Sequence, residues 1–147
     1  MSESLDPSET LGLLLWRVTL RWQRKIIGAL KPLGLTHVQF VLLVSTWWLT
    51  HVAGEQPSQR RIADHAGTDP MMTSQVLRVL ASKGLVVRQR DPSDSRALRI
   101  GITEQGVDLA LRAVEIVEAV DAAFFPAVGD QLVLRRHLRD LGASPGH

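Results

Sequence analysis

The sequence of 147 residues contains neither cysteine nor tyrosine. Without cysteine the chain can form no disulfide bond, no thiolate metal site and no thiol redox switch, and a reducing cytoplasm is the compartment we expect. No apolar run approaches the roughly 20 residues that a membrane-spanning helix needs. Residues 1–9 are polar and acidic, whereas a secretory signal is basic and then apolar. We therefore expect no membrane partner and no secretory signal.

The usual sequence signs of an enzyme or a metal site are also missing. The five histidines are scattered, and none is paired with a carboxylate at the spacing of a metal site. The sequence has no glycine-rich phosphate loop, no nucleophile elbow and no cysteine nucleophile. We predict a protein that is not an enzyme and that needs no metal ion and no cofactor.

The formal net charge of +2 conceals an uneven distribution along the chain. Residues 58–102 carry eight Lys or Arg against four Asp or Glu, a net charge of +4, whereas residues 103–147 carry four against seven, a net charge of −3. A basic middle and an acidic end suit an anionic partner that binds one face of the protein. Double-stranded DNA is the partner we infer.

The basic stretch begins with the pattern of a helix, a turn and a second helix. Ser58 is a good N-cap for a helix over residues 59–66, and Gly67 can supply the left-handed stop. Asp69 is an N-cap for a second helix over residues 70–83, in which proline occupies the first helical position. Four apolar residues at helical spacing predict the buried face of this second helix: Met72, Val76, Val79 and Leu80.

The opposite face of the second helix is predicted to read DNA. Its residues are Met71, Ser74, Gln75, Arg78 and Ser82. Ser74, Gln75 and Arg78 can bond base edges or phosphates, and the commonest contacts would join Gln75 to adenine and Arg78 to guanine or to a phosphate. Alternatively, these are ordinary solvated residues of an amphipathic helix.

A β-hairpin is predicted to follow. Residues 85–87 are apolar, residues 91–96 are rich in turn formers, and residues 97–102 return as a strand. Arg88 and Arg90 make the edges of this hairpin basic. Duplex DNA offers a dense row of phosphates beside a narrow minor groove of negative potential. The hairpin is therefore predicted to contact DNA as well.

The tip of the hairpin holds an arginine and an aspartate with different predicted roles. Arg96 projects from the tip and is the residue that we expect to reach the phosphates or the minor groove. Asp94 would repel phosphate unless it were bonded internally. We predict that Asp94 holds the shape of the loop by bonding backbone N–H groups or a nearby arginine.

Further helices are predicted on both sides of this basic unit. Thr36 and Gln39 form a capping box for a helix whose almost wholly apolar residues 38–49 should be the hub of the core. Helices over residues 103–125 and 130–141 carry more apolar surface than a small unit can cover. The first helix keeps one apolar face, which consists of Leu11, Leu14, Leu15, Val18, Trp22, Ile26 and Leu30. These surfaces predict a two-fold homodimer that reads a pseudo-palindromic operator, although the helices could instead complete the core of a monomer.

A set of these residues matches a known family pattern between Thr36 and Gly106. The matching residues are Thr36, Gln39, Phe40, Ile62, Ala63, Leu80, Lys83 to Val86, Arg88, Asp91 to Ala97 and Ile102 to Gly106. The run of Asp94, Arg96, Thr103 and Gly106 is its most specific part. In these positions the chain resembles the MarR family of winged-helix transcriptional regulators.

The resemblance implies a mainly α fold with a small β-wing. Residues 36–102 would form a winged helix-turn-helix DNA-binding unit, with the wing at 88–102. Dimerisation helices at 10–33 and 103–142 would flank it at the N- and C-terminal sides. Together these parts would make a single domain over residues 1–147.

All four tryptophans lie in the first two predicted helices. Many members of the resembled family bind small aromatic or phenolic acids between the dimer helices and the winged unit, which shifts the spacing of the recognition helices. By that resemblance a candidate ligand site consists of Trp16, Arg17, Arg21, Trp47 and Trp48. Arginine would pair with a carboxylate and indole faces would stack on a ring. Alternatively, the tryptophans, with Trp22 among them, fill the core.

These patterns predict a sequence-specific regulator of transcription that binds double-stranded DNA. The favoured form is a dimeric repressor that a small aromatic or anionic ligand releases. The alternative is a winged-helix module that holds a protein partner and has no DNA specificity. The basic charge of residues 58–102 favours DNA.

Overall fold

The computed structural model describes residues 6–143, apart from the side chain of Ser95. Within that range the chain folds into six α-helices and one two-stranded antiparallel sheet. Their bounds are α1 Leu11–Leu30, α2 His37–His51, α3 Gln59–Ala66, α4 Pro70–Ser82, β1 Val86–Asp91, β2 Asp94–Ile102, α5 Glu104–Phe124 and α6 Gln131–Gly142. Short 3-10 helices occupy Pro7–Glu9, Lys31–Leu33 and Phe125–Ala127. The predicted mainly α fold with a small β-wing is confirmed, while the two ends of the predicted domain, 1–5 and 144–147, lie outside the described residues.

Most helices begin at the residues that the sequence marks as caps. A backbone N–H in the first turn donates a hydrogen bond to the capping side chain at five helices, whose caps are Thr10, Ser58, Asp69, Thr103 and Asp130. At α2 both bonds of the predicted capping box form between Thr36 and Gln39, each 3.2 Å long. Gly67 and Gly84 follow α3 and α4 with a left-handed φ of 74°, which glycine adopts without strain.

Helix α2 is the hub of the core, as predicted. It packs against α1, α3, α4, α5 and β2. Leu42, Leu43 and Leu49 are fully buried along it, and they share one apolar cluster with residues from all of those elements. The buried apolar area supplies most of the favourable free energy that holds residues 36–102 and the flanking helices together.

The buried face of α4 is rotated slightly from the predicted one. Thr73 and Leu77 are fully buried, together with the correctly predicted Leu80. Met72 and Val79, which were predicted to face inward, are each 42% exposed, so their prediction was wrong. Threonine can occupy the core here because its hydroxyl donates a hydrogen bond of 2.8 Å to the carbonyl of Asp69, which offsets the cost of burying it.

The wing is an antiparallel pair with an irregular tip. The ladder runs from Val86 opposite Ile102 to Arg90 opposite Leu98, and then the register shifts. Strand β2 begins at Asp94, earlier than the predicted start at residue 97, because Asp94 pairs with Asp91 across a turn at 92–93. Residues 95–97 therefore lie between two paired positions and form a bulge in β2.

The wing joins α5 through a close backbone approach. Gly106 lies in the first turn of α5, where an added Cβ atom would overlap the carbonyl of Leu85 and approach Cγ1 of Ile102 to 2.9 Å. Thr103 caps α5 and also donates a hydrogen bond of 2.7 Å from its hydroxyl to the carbonyl of Gly84. The start of α5 is thus fixed directly on the segment that joins α4 to β1.

No single helix within residues 6–143 is both long and apolar enough to cross a membrane. The segments Leu11–Leu33 and His37–His51 reach that length and hydropathy only when taken together, and they are bent by 74° at the break between them.

Candidate nucleic-acid interface

Hydroxyl hydrogen bonds fix the turn between α3 and α4. The Oγ1 atoms of Thr68 and Thr73 lie 2.6 Å apart. Because the single hydroxyl proton of Thr73 is donated to the carbonyl of Asp69, Thr68 must be the donor to Thr73. The two bonds join the turn to the buried side of α4.

The outer side of α4 is available to a partner. Residues Met71, Gln75, Arg78 and Ser82 recur at intervals of four, three and four, and all of them are exposed, so that they form one stripe along the helix, which we call the recognition face. Ser74 lies beside this stripe and is half-buried. The side chains of Gln75 and Arg78 make no hydrogen bond and no ion pair within residues 6–143 and are free to bond DNA.

The far end of α4 is anchored by a lysine. The ammonium group of Lys83 donates hydrogen bonds to the carbonyl of Gly34, at 2.8 Å, and to Oε1 of Gln39, at 3.1 Å. Gly34 lies in the turn before α2 and Gln39 in the first turn of α2, which is the hub of the core. Lys83 therefore positions the recognition face and does not belong to it, although its charge adds to the basic character of the unit.

Some arginines of residues 58–102 make an ion pair and others do not. Arg61 pairs with Glu55 at 3.3 Å, and Arg99 pairs with Asp91 at 2.8 Å. Four arginines in residues 58–102 are exposed and make no ion pair within the described part of the chain, namely Arg60, Arg78, Arg90 and Arg96. Arg60 was not predicted as a contact, although its place in the first turn of α3 after the Ser58 cap was visible in the sequence.

Asp91 and Arg99 shape the tip of the wing. One carboxylate oxygen of Asp91 accepts hydrogen bonds from the backbone N–H of Ser93, at 2.9 Å, and from its hydroxyl, at 2.7 Å. The other accepts from the guanidinium of Arg99 at 2.8 Å. The backbone N–H of Ser93, then its hydroxyl, and to a smaller degree Arg99 lower the pKa of the Asp91 carboxyl.

Asp91 and Asp94 both hold the shape of the loop, a role that was predicted from the sequence for Asp94 alone. Asp94 does accept a hydrogen bond of 3.0 Å from the backbone N–H of Arg96, as predicted. The stronger constraint comes from Asp91, which sequence reasoning missed. An aspartate two residues before a serine is a known signal for a turn closed by the carboxylate, and it could have indicated Asp91.

The three arginines predicted for the wing occupy different environments. Arg96 lies in the bulge of β2 and is exposed, and Arg90 is exposed at the last regular pair of the ladder. Arg88 is half-buried opposite Ile100, and its Nε atom is buried without a hydrogen-bond partner among residues 6–143. Arg90 and Arg96 can therefore meet a partner more freely than Arg88.

The candidate ligand residues on α1 lie near its N-terminal half. Trp16 is 62% exposed, and Arg17 donates a hydrogen bond of 3.1 Å to the carbonyl of Ser8. One turn later the guanidinium of Arg21 lies 5.9 Å from the ring centroid of Phe124 on α5, at cation–π distance.

The two candidate tryptophans on α2 lie elsewhere. Trp47 packs against the apolar core, and Trp48 stacks on His65 of α3 with ring centroids 5.1 Å apart. Within residues 6–143 no hydrogen bond or ring contact joins any two of the five predicted ligand residues. The structure brings Arg21 together with Phe124, a residue that the sequence did not suggest for this site.

Trp22 connects three helices. Its indole N–H donates a hydrogen bond of 2.9 Å to Oδ1 of Asp121 on α5, and its ring meets His37 of α2 edge-on at 5.1 Å. Partial burial lowers the pKa of His37, because it disfavours the charged imidazolium. Trp22 and Trp47 thus pack in the core, as the alternative interpretation of the tryptophans predicted.

Within residues 6–143 no group of three His, Asp or Glu side chains could hold a metal ion.

Two sequence comparisons identify the family of this chain. The model of the MarR family matches residues 35–98. The HTH-type transcriptional regulator YdcH of Bacillus subtilis is 43% identical over 127 residues, which cover 86% of this chain and 85% of the relative. The HTH-type transcriptional repressor Rv2887 of Mycobacterium tuberculosis is 34% identical over 137 residues, which cover 90% of this chain and 94% of the relative.

Solved structures agree with these relatives. CouR of Rhodococcus jostii RHA1 bound to p-coumaroyl-CoA has 31% identity and a TM-score of 0.82, over 98% of this chain and 99% of that one. CouR bound to a 23-mer DNA duplex has a TM-score of 0.76 over 98% of this chain and 97% of that one. Rv2887 in complex with salicylic acid has 34% identity and a TM-score of 0.67, over 92% of this chain and 98% of that one. The fold, the recognition face and these similarities lead to one conclusion: the chain belongs to the MarR family of winged-helix transcriptional regulators.

Proposed function

We propose that this chain is a dimeric repressor that binds a pseudo-palindromic site in double-stranded DNA and that a small aromatic acid releases. The observation that carries the DNA-binding part is the recognition face of α4, where Gln75 and Arg78 are exposed and unbonded. Gln75 suits adenine, and Arg78 suits guanine or a phosphate. The similar structure of CouR bound to a DNA duplex supports this part.

The wing completes the proposed interface. Arg96, exposed in the bulge of β2, would enter the minor groove or pair with a phosphate, and Arg90 would contact the backbone nearby. Ser74 would bond a phosphate from the edge of the recognition face. Arg88 and Asp94 would act from the wing, Arg88 through its charge and Asp94 by holding the backbone at Arg96.

A second copy of the chain is the partner that the flanking helices suit. Helix α6 buries none of its residues within one protomer, and its apolar residue Leu132 is 74% exposed. A groove of about 500 Å³ lies between α5 and α6, with Phe125, Leu134 and Leu138 among its lining residues. The apolar residues in the first half of α1 are also largely exposed. Covering these surfaces in a two-fold dimer would place two recognition faces on one side of a duplex.

The proposed ligand is a small aromatic acid. Arg17 and Arg21 lie one turn apart on α1, and Trp16 precedes them, so a carboxylate and an aromatic ring would find matching groups there. Within residues 6–143 no hydrogen bond or ring contact joins Trp47 or Trp48 of α2 to these three residues, so the side chains of α1 carry the proposal. The complex of Rv2887 with salicylic acid supports this class of ligand, whereas CouR binds p-coumaroyl-CoA, a thioester of an aromatic acid. Ligand binding would favour a spacing of the recognition faces that cannot engage both half-sites.

The remaining parts of the proposal follow from the family. A regulator of transcription works where the DNA is, and we propose the cytoplasm as its compartment. We also propose that the chain catalyses no reaction, because binding to DNA and to an effector accounts for the residues described above.

The DNA-binding proposal can be tested on the full-length chain with a pool of random duplexes. Selection should enrich a pseudo-palindromic sequence, whose dissociation constant is then measured against salt concentration by fluorescence anisotropy. We expect steep weakening with salt, and we expect Arg96→Ala to reduce the slope of log Kd against log salt by about one per protomer. Arg24→Ala in the second half of α1 is the matched control, since it removes the same charge from an exposed residue outside the proposed interface.

Two results would contradict this proposal. If no duplex is enriched over the random pool, the DNA-binding role is wrong, and the protein-binding alternative takes its place. If a duplex is enriched but Arg96→Ala and Arg24→Ala change the slope equally, the wing does not contact the duplex.

A further inference from the structure

The recognition face begins with a residue that can make no strong hydrogen bond. Met71 occupies the second position of α4 and is 73% exposed. A partner that covers this apolar side chain would gain free energy in proportion to the apolar area removed from water. Met71 is therefore the member of the recognition face that suits an apolar group of the partner.

The position of Met71 points to the major groove. Met71 lies at the N-terminal end of the recognition face, one turn before Gln75 and two turns before Arg78. The N-terminal residues of a recognition helix are those that come closest to base edges. Among the groups that base pairs present in the major groove, the C5-methyl group of thymine is the apolar one.

Other partners suit Met71 less well. The exposed apolar residues that we assign to the dimer lie on α1, α5 and α6, whereas α4 packs within its protomer against α2, α3 and β1. Arg60, Asp64 and Pro70 line one cleft between α3 and α4, so a cation and an acid both lie close to the start of the recognition face. Further along this face Arg78 is exposed and makes no ion pair within residues 6–143, so Met71 and Arg78 together suit a partner that carries both charged and apolar groups, as DNA does.

We propose that Met71 packs against the C5-methyl group of a thymine in each half-site of the operator, and that it thereby determines sequence preference at that position. This inference rests on the proposed DNA-binding function. It adds an apolar contact at the N-terminal end of a stripe whose next two members, Gln75 and Arg78, read polar groups.

The test compares thymidine with deoxyuridine, which differs from it only in lacking the C5-methyl group. In the duplex selected from the random pool, each symmetric pair of thymines is replaced by deoxyuridine in turn, and Kd is measured with the full-length chain at one salt concentration. At one pair of positions we expect binding to weaken about fourfold per half-site, or about fifteenfold for both, as one buried methyl group would give. The remaining pairs should change Kd by less than about twofold.

Variants assign the effect to Met71. Met71→Ala should bind the thymine and the deoxyuridine duplexes with nearly equal affinity, whereas Met71→Leu, which keeps an apolar side chain, should retain most of the difference. Met72→Ala is the matched control on the flank of the recognition face and should retain it fully. Because Met71 is exposed, neither substitution of Met71 should alter the thermal unfolding temperature by more than about 2 °C.

Each contrary result overturns a distinct statement. If the selected duplex binds but no deoxyuridine substitution weakens it, the methyl contact is wrong and the DNA-binding role stands. If the effect persists in Met71→Ala, the contact belongs to another residue. If no duplex is selected at all, the proposed function fails and this inference fails with it.

Discussion

Arg99 and Asp91 form a salt bridge in the wing, in which Nη2 of the arginine lies 2.8 Å from Oδ2 of the carboxylate. Arg99 also donates a hydrogen bond of 2.9 Å to the carbonyl of Gln56, in the loop before α3. The backbone N–H of Ile100 donates to the carbonyl of Pro57 in the same loop. Strand β2 of the wing is therefore joined to the loop before α3, so the wing and the recognition face keep a defined relative position.

Replacing Asp91 tests whether DNA binding depends on the conformation of the wing that Asp91 holds or only on the charge of the wing. Asp91→Asn removes a negative charge beside the proposed DNA surface, which by itself should strengthen binding. Because it also breaks the salt bridge and weakens the turn at Ser93, we expect at least about a threefold weaker Kd for the selected duplex. Asp64→Asn is the control, since it removes an equal charge from an exposed residue of α3. Stronger binding of the duplex by both variants would show that DNA binding does not depend on the conformation that Asp91 holds.

The same carboxylate should make stability depend on pH in acid. The fold lowers the pKa of Asp91, chiefly through the N–H of Ser93, so the unfolded chain binds a proton at a higher pH than the folded chain does. The stabilisation from Asp91 is therefore fully present above the ordinary aspartate pKa and is lost as pH falls through the lowered value. Urea unfolding should show a difference between wild type and Asp91→Asn at about pH 6 that shrinks towards about pH 3. A difference that grows in acid would contradict the direction of the shift.

Gly106 should tolerate no side chain. Gly106→Ala would force a Cβ atom against the carbonyl of Leu85, so we expect a loss of about 1–3 kcal/mol in the free energy of unfolding, measured by urea titration. Gly101→Ala is a matched control in the neighbouring strand, because a Cβ atom added there would have no neighbouring atom within 4 Å. That variant should change stability by less than about 1 kcal/mol. Equal losses in the two variants would mean that the contact between the wing and α5 is not close.

The proposed dimer surface can be tested with a charge. Leu132→Asp puts a carboxylate on the exposed apolar side of α6, and we expect the dimer dissociation constant to rise by at least about tenfold, because that charge would lose its water in the interface. Light scattering after gel filtration measures the mass over a range of concentrations. Val52→Asp changes an exposed valine at the end of α2 and should leave the mass unchanged. A dimer that resists Leu132→Asp would exclude this side of α6 from the interface.

Salicylate is a suitable probe of the proposed ligand site. It should quench tryptophan fluorescence, and Arg21→Ala should raise its Kd by about tenfold or more, because a charged hydrogen bond to the carboxylate is lost. Arg24→Ala is the control on the same helix, since Arg24 is exposed and lies outside the proposed site. Equal affinities in wild type and Arg21→Ala would remove Arg21 from the site.

The sequence predicted local features well because their causes are local. Helix starts follow capping hydrogen bonds that span three residues, such as the one from the N–H of Met72 to Asp69, and these bonds form wherever the chain places the cap. The positions of Gly67 and Gly84 after α3 and α4 follow from the conformations that glycine alone adopts easily. The family pattern around Asp94 and Arg96 is likewise contiguous and could be recognised without coordinates.

Burial and side-chain partners were harder to predict because they depend on residues that are distant in the sequence. From hydrophobicity alone, Met72 was predicted to be buried and Thr73 was not. Thr73 is nevertheless buried, because its hydroxyl group has hydrogen-bond partners in Thr68 and Asp69. The bond from Trp22 to Asp121 spans 99 residues, and no short-range pattern indicates it.

By itself, then, the sequence determined the order of the helices, their ends, the presence of a wing and the family, since these depend on hydrogen bonds and spacings within a few residues. Only the tertiary structure decided that Thr73 rather than Met72 is buried on α4, that Asp91 holds the tip of the wing, and that Arg21 lies beside Phe124 of α5. The physical reason is that burial is set by all the elements that pack around a residue, and the chain brings those elements together only when it folds.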